Sequence, residues 1–481
     1  MALLAAFAVP HPPLIIPAVG RGEERGIQRT IDAYQEVARR ICELAPQTIV
    51  ISSPHSIMYR DYLHISPGAG AKGSFARFGA PQARYQADYD QVFVSALCAA
   101  ADADGLAAGT MGERDPSLDH GTMLPLHFIQ GAYEEAGRTQ DFKVVRMGLS
   151  GLSPAAHYQL GQLVQKVADV LGKRVVYVAS GDLSHKLTDD GPYGFAPEGP
   201  QFDELACEAF GTGDFLKLLT VDPSFAERAA ECGLRSFQIM AGALDRTPVK
   251  AELLSHEGPF GVGYGVAAFT PTGQEGSDED RDFRAQYIAW HTQDMRRRKD
   301  AEDPLVKLAR LATERYVTFG ERTDATSPTD LAFLDARLPA EAIDSRAGCF
   351  VSLHKDGELR GCIGTILPTK ATLGQEICDN AVSACSRDPR FPPVSEDELP
   401  ELVYSVDVLS EPETIDSPRE LDPRRYGVIV STNDGRRGLL LPDLDGVDSI
   451  EEQVSIAARK GDIDLGNDDW HLERFEVVRH T

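Results

Sequence analysis

Three histidines of this chain stand in the same relation to an apolar run. Residues 3–9 lead into Pro10-His11-Pro12-Pro13, residues 47–52 into Ser53-Pro54-His55-Ser56, and residues 175–179 into Ser180-Gly181-Asp182-Leu183-Ser184-His185. A fourth histidine, in Asp119-His120-Gly121, sits on a loop before the apolar stretch 123–129. One such histidine is ordinarily a satisfied structural residue; four at equivalent places point to one shared polar site. Imidazole is the commonest metal ligand and the side chain that titrates nearest physiological pH. Two neutral imidazoles and a carboxylate on one face of a metal suit non-haem Fe(II), which keeps open positions for substrate and dioxygen. Zinc or manganese fit the same donors less distinctively.

Such a site needs strands that end side by side. The runs at 3–9, 47–52, 143–147, 175–179 and 262–269 read as strands. Between them, 27–44 carries Ile27, Ile31, Tyr34, Val37 and Ile41 at helical spacing, and 156–171 carries Leu160, Leu163, Val164 and Val167. Apolar strands alternating with helices imply an α/β module, a mostly parallel sheet flanked by helices, over residues 1–271. In such sheets ligands bind beyond the carboxyl ends of the strands, where the histidines fall. Residues 272–303, with GQEGSDEDRD and RRRKDAED at their ends, read as a charged linker and domain boundary whose middle, 283–295, is compatible with a helix. Residues 304–481 change grammar. Leu305, Leu308, Leu311 and Tyr316 mark a helix, and Asp356-Gly357 and Asn433-Asp434-Gly435 mark two hairpins. Helices fit 373–385 and 450–459, so this second, smaller module is α+β.

Composition narrows the class. A chain of 481 residues, 42% hydrophobic and 25% charged, is long enough for two or three domains. Its net charge of −26 repels phosphate backbones and anionic lipid, so neither nucleic acid nor a membrane surface is expected as partner. Eight cysteines without a CxxC pair suit reduced thiols. The apolar amino terminus lacks a basic flank and is broken by His11 and three prolines. A cytoplasmic protein is expected, and the sequence leaves its oligomeric state open, a homo-oligomer included.

The motifs PHPPLIIPAVG, ISSPHS, LDHGTMLPLHF, SGDLSHKL, AECGLRSFQIMAGAL and EGPFGVGYGVAAF span residues 8–269. In this order they resemble class III (LigB-type) extradiol ring-cleavage dioxygenases, and more closely their Memo-family relatives. The resemblance implies that His11 and His55 are metal ligands and His185 a general base or proton shuttle oriented by Asp182. It implies that His120 is a substrate-positioning acid, and that the cofactor is Fe(II), with Zn, Mn and Cu as alternatives. The substrate is then a small, catecholic molecule used with O2. For the third ligand, LigB-type enzymes use glutamate and Memo proteins cysteine in a Cys-Gly context; this chain has Glu231-Cys232-Gly233. Ser224 to Glu227 reads as a capping box, with Gly233 ending that helix. Adjacent residues there point about 100° apart, so one of the two faces the metal. The facial-triad rule tips the choice to Glu231, with Cys232 kept as the alternative and Glu257 as a third candidate. His64, His127, His157, His256 and His291 read as structural, with His127 a candidate for the pocket wall.

In the second module, LRGCIG places Cys362 between Gly361 and Gly364, and Arg387-Asp388-Pro389-Arg390 forms a rigid charged loop. Arg360, Arg387 and Arg390 suit a carboxylate or phosphate clamp, and equally an internal salt-bridge network. With RDPRFPPV, GRRGLLLPDL and the IEEQ…ARKG helix, residues 304–480 resemble the AMMECR family, which implies a cleft lined by LRGCIG. Both modules in this order resemble the fused AmmeMemoRadiSam system protein A family. That implies association with a radical-SAM protein and supplies no substrate. Three activities follow as expectations: an iron-dependent oxygenase, a non-catalytic metal- or partner-binding protein, and a zinc-type hydrolase or lyase.

Overall fold

The computed structural model describes residues 2–273, 278–332, 334, 337–444 and 446–481; residues 274–277 of the expected linker lie outside this set. The chain forms two compact units, Met1–Thr292 and Gln293–Thr481. The division falls within a helix, Phe283–Ala301, which takes up the middle and most of the end of the charged segment expected as a linker.

In the first unit, β1 (Leu3–Val9) leads to helix α1 (Gln28–Leu44) and β2 (Thr48–Ser52). A ribbon of β3 (Gly70–Phe75) and β4 (Ala80–Asp88) follows, then α2 (Gln91–Ala103), α3 (His120–Glu135), β5 (Lys143–Met147), α4 (Pro154–Leu171) and β6 (Val175–Ser180). Helices α5 (Glu198–Thr212) and α6 (Leu234–Ala243) and strands β7 (Val249–Glu257) and β8 (Tyr264–Pro271) complete it. The six-stranded sheet has the order β5-β2-β6-β1-β8-β7.

Alternation on the strands explains the two helical layers. On β1, Leu3, Ala6 and Ala8 join one core with α2, α4 and α6, while Ala5, Phe7 and Val9 join another with α1 and α3. With both faces buried, the strands read as continuous apolar runs. The sheet is mixed. β5, β2, β6 and β1 run parallel, but β8 lies antiparallel to β1 and to β7. Sequence reading missed β7 because it is a half-buried edge strand carrying Lys250, Glu252, His256 and Glu257.

Register aligns the strand ends that matter. Val9 pairs with Ser180 and Ser52 with Ala179, so the loops after β1, β6 and β2 leave the sheet as neighbours.

The second unit contains α7 (Pro304–Phe319), β9 (Cys349–Lys355), β10 (Glu358–Gly364), α8 (Leu373–Ser386), β11 (Leu402–Leu409), β12 (Glu413–Ile415), β13 (Tyr426–Thr432), β14 (Arg437–Leu440), α9 (Ile450–Lys460) and β15 (Trp470–His480). Its strands are antiparallel in the order β10-β9-β11-β15-β13-β14, with β12 paired to β15, and both expected hairpins form.

One partly buried ion pair ties strand β7 to the loop after β6. Asp203 on α5 accepts from Ser184 N–H (2.8 Å) and from His256 Nε2 (2.7 Å). The hydrogen bond to Asp203 raises the His256 pKa to about 10. A raised folded-state pKa stabilises the fold fully below the unfolded value, about 6.5, and this contribution is lost as pH rises through the folded one. His256→Gln is therefore expected to destabilise the chain by about 1–2 kcal/mol at pH 6, a figure discounted for the partial exposure of His256. In thermal unfolding, the gap between parent and variant should close as pH approaches about 10; a gap independent of pH would contradict the pair.

Candidate metal centre

His11 follows β1 in the loop, almost fully buried at 2% exposure. Its backbone N–H donates to Asp182 Oδ1 (2.7 Å), and its Nδ1 meets Ser180 Oγ (3.1 Å), leaving Nε2 free to face the cluster. That Nε2 lies 3.0 Å from His55 Nε2 and 3.6 Å from Cys232 Sγ. Among the described residues, His11, His55 and Cys232 form a donor set able to hold one ion, and Asp182, His185 and Cys232 form a second, overlapping set. With ligand bonds of about 2.0–2.3 Å, donors about 3.0–3.7 Å apart suit one shared cation, so the residues fit a metal. His55 is exposed, which leaves the centre open on that side.

Glu231 does not join them. Its Oε2 accepts from Leu234 N–H (2.6 Å) at the start of α6, and burial raises its pKa to about 7. The local fold explains the difference from the sequence reading. The preceding short helix, Pro223–Ala229, is capped by Asp222, not by Ser224, and ends at Ala230 in the left-handed region. Gly233 opens α6 instead of closing that helix. Glu231 thus becomes the acid that satisfies the amino end of α6, and Cys232 turns to the histidines. Glu257 is also engaged elsewhere, accepting from Thr30 N–H (2.7 Å) and Oγ1–H (2.8 Å) in the first turn of α1.

The two cysteine- and aspartate-bearing loops meet because two glycines touch. A Cβ on Gly181 would lie 2.2 Å from Gly233 Cα, and one on Gly233 would strike Phe237 and the Asp182 carbonyl. Through this contact Asp182 N–H reaches Cys232 Sγ (3.3 Å).

His185 donates from Nδ1 to the Ala230 carbonyl, so a neutral ring presents a lone pair at Nε2, which lies 3.9 Å from Asp182 Oδ2. His120 sits in the first turn of α3, not on a loop. Asp119 caps that helix through Thr122 N–H (2.9 Å), and also accepts from Ser53 Oγ–H (2.6 Å) and from Arg146 Nε (3.2 Å) and Nη2 (3.0 Å). The His120 ring lies 4.0 Å from that of His55 and 5.3 Å from that of His11, centroid to centroid. Sequence reading passed over Asp119 and Arg146; the Asp-x-x-Thr cap before an apolar run was the available signal.

Burial governs the charges. Desolvation, then repulsion from neighbouring histidines, lowers the pKa of His11 well below its usual value and that of His120 to about 3; desolvation lowers His55 as well. The imidazoles are therefore neutral, as ligation requires. Burial raises Asp182, and burial followed by the Asp182 and Glu231 charges raises Cys232 well above the usual thiol value. A bound cation reverses that last effect. For Asp119, burial acts upward but Arg146, Ser53 and Thr122 outweigh it and hold the carboxyl below its ordinary value.

The remaining histidines have local partners. His64 Nδ1 meets the Met111 carbonyl (3.1 Å), His127 Nδ1 meets Tyr85 Oη (2.9 Å), and His157 lies against Ser150 and Ser153.

In the second unit, a mainly apolar cavity of about 690 Å³ is lined by Cys362, Ser352, His354, Tyr404, Asp407 and Arg479, among others. Ser352 Oγ lies 3.2 Å from Cys362 Sγ, and Arg479 pairs with Asp407 through two hydrogen bonds (2.8 and 3.0 Å). The arginines singled out in sequence act behind this wall. Arg390 pairs with Asp388 and donates to the Cys362 carbonyl (3.0 Å), while Asp388 accepts from Cys362 N–H (2.9 Å). Arg360 is engaged by Glu398 (both bonds 2.8 Å), and Arg387 is exposed.

A mixed α/β sheet with histidines gathered at its carboxyl edge, followed by an antiparallel α+β unit, defines a two-module protein with a dioxygenase-like first half. The family model described as the catalytic LigB subunit of aromatic ring-opening dioxygenase matches residues 5–267, and the AMMECR1 model matches 306–481. The chain belongs to the LigB family in its first unit and to the AMMECR1 family in its second, in the order read from the sequence motifs. Protein CA_C1420 of Clostridium acetobutylicum is 38% identical over 499 residues, covering 100% of this chain and 99% of its own length. A Thermotoga maritima protein is 51% identical over 180 residues, 37% of this chain and 98% of its own. The crystal structure of protein PH0010 from Pyrococcus horikoshii covers 36% of this chain and 88% of its own at 30% identity, with a TM-score of 0.32. Among the described residues, no helix is long and apolar enough to cross a membrane.

Gly181→Ala tests the loop contact. Steric overlap with Gly233 is expected to destabilise the fold by about 1–3 kcal/mol and to part Cys232 from His11. Calorimetry and site-resolved thiol alkylation read both effects; an unchanged melting point with equally protected Cys232 would show that the contact is dispensable.

Proposed function

We propose that the first unit is a non-haem iron oxygenase of the extradiol type, acting on a small catechol-like molecule with dioxygen. The observation that carries this reading is the convergence of His11, His55 and Cys232 in one open-sided centre, with His120 and Asp182–His185 around it. These three donors would hold the iron, and a bound Fe(II) would supply open positions for chelation and dioxygen together with the electron path between them. His185 takes up a substrate hydroxyl proton at Nε2, since its Nδ1–H is committed to Ala230. Asp182 holds the loop by accepting from His11 N–H, so that base and ligand keep a fixed relation. His120 enters as a neutral ring and therefore positions substrate by hydrogen bonding instead of arriving with a spare proton.

The sulfur of Cys232 favours a second reading. Two imidazoles and a thiolate also suit zinc or copper(I), in a metalloenzyme or metal-binding protein that does not use dioxygen.

Mass spectrometry of metals on anaerobically purified full chain, joined to oxygen-uptake assays with catechols, separates the two. The oxygenase reading expects near-stoichiometric iron in the parent and in Glu231→Gln, and little in His11→Ala or Cys232→Ala. It also expects catechol-dependent oxygen uptake that falls by about 10²–10⁴-fold in His185→Ala. Zinc or copper in place of iron, with no oxygen uptake, would overturn it in favour of the second reading.

A further inference from the structure

We propose that the second unit holds a thiol site of its own, where Cys362 adds to the conjugated double bond of an apolar α,β-unsaturated carbonyl compound bound in the cavity beside it. The site lies wholly within this unit and rests on no part of the oxygenase reading.

Strand alternation builds the site. On β9 and β11, Val351, Leu353, Tyr404 and Val406 join the core with α7 and α8, so Ser352, His354, Ser405 and Asp407 face the other way. Cys362 stands opposite Ser352, which stands opposite Ser405, and a thiol and two hydroxyls thus form one rung across β10, β9 and β11. These side chains line the cavity of about 690 Å³, and Met295, Val403, Leu441 and Leu444 supply apolar wall.

The thiol is held in a fixed place. Asp388 accepts from the Cys362 N–H (2.9 Å) and Arg390 donates to its carbonyl (3.0 Å), which pins the backbone from both sides. Ser352 Oγ–H donates to the sulfur (3.2 Å), a bond that strengthens as negative charge grows on the acceptor. The other three cysteines of this unit are buried, which pushes the thiols of Cys349 and Cys378 up to about 12 and that of Cys385 to about 11; Cys362 opens onto the cavity. The His354 ring forms no hydrogen bond among the described residues. Burial, followed by the charge of Arg479, lowers its pKa, so a neutral ring faces the cavity, able to take up a proton.

Two features select addition over acyl transfer. A tetrahedral acyl intermediate needs N–H donors beside the attacked carbon, and the N–H of Cys362 itself is committed to Asp388. In conjugate addition the charge develops on a carbonyl oxygen several bonds from the sulfur. The wall offers donors there on β11 and β15, Ser405 Oγ–H and Arg479 Nη1–H, both uncommitted among the described residues. The sulfur–carbon bond forms at the β-carbon as the α–β π bond opens, and its electron pair moves to the carbonyl oxygen. The thiol proton passes through His354 to the α-carbon, so the step needs no oxidant, reductant or second reactant. The apolar walls take the ligand's chain.

The test incubates the full chain with 3-nonen-2-one, its short analogue 3-penten-2-one, saturated 2-nonanone, and the octanoyl thioester of N-acetylcysteamine. Peptide mapping by mass spectrometry follows each cysteine, with N-acetylcysteine as the free-thiol reference. Cys362 is expected to react first among the eight cysteines, and only with the enones. Its preference for the long enone over the short one should exceed that of the free thiol by about ten-fold or more. His354→Gln should slow the addition by about 10²-fold at an unchanged melting point, and Cys362→Ser should remove it. A chain-length preference equal to that of the free thiol, faster modification of another cysteine, acylation of Cys362 by the thioester, or an unslowed His354→Gln overturns the inference.

Discussion

The centre of the first unit depends on the backbone contact between Gly181 and Gly233. One glycine follows the central strand β6; the other opens helix α6. Neither has a side chain to hold the loops apart, and the approach is closer than any Cβ allows. From that contact follow the hydrogen bond from Asp182 N–H to Cys232 and the placing of the sulfur beside His11. The β-sheet does the rest. Parallel register delivers His11 and His55 from strands on either side of β6, so three loops between 44 and 171 residues apart in the chain share one small volume.

Burial then sets the chemistry. In water near neutral pH, three imidazoles would be partly protonated and a carboxylate ionised, all mutually indifferent. Here desolvation makes charging several clustered histidines costly, so the imidazoles stay neutral with lone pairs available. Their orientation comes from hydrogen bonds on the far side of each ring, Ser180 behind His11 and Ala230 behind His185.

Much of this was legible in the sequence. The parallel strands of the first unit are uninterrupted apolar runs, and their histidines fall just past the carboxyl ends, so the site's place on the sheet followed from pattern alone. Two features were not legible. Strand β7 is polar because it is an edge, and the β3–β4 ribbon covers its core-facing side mostly with small residues (Ala71, Gly73, Ala83, Ala87), so the apolar alternation of both is too weak to mark a strand. Between Glu231 and Cys232 the facial-triad rule favoured the carboxylate, because sequence does not show which of two adjacent side chains a helix start turns toward the histidines. In the structure Gly233 opens a helix instead of ending one, Glu231 turns to the Leu234 N–H, and Cys232 lies against His11. In the second unit the RDPR motif was visible as a clamp, but its object is the backbone of Cys362, a contact between distant strands and loops that spacing cannot reveal.

The most direct test of the account is X-ray absorption at the edge of the metal carried by the anaerobically purified full chain. The geometry around His11, His55 and Cys232 predicts one sulfur neighbour at about 2.3 Å beside nitrogen neighbours at about 2.0–2.1 Å, with the sulfur lost in Cys232→Ser. A shell of nitrogen and oxygen alone in the parent would contradict it, and would return the third position to a carboxylate.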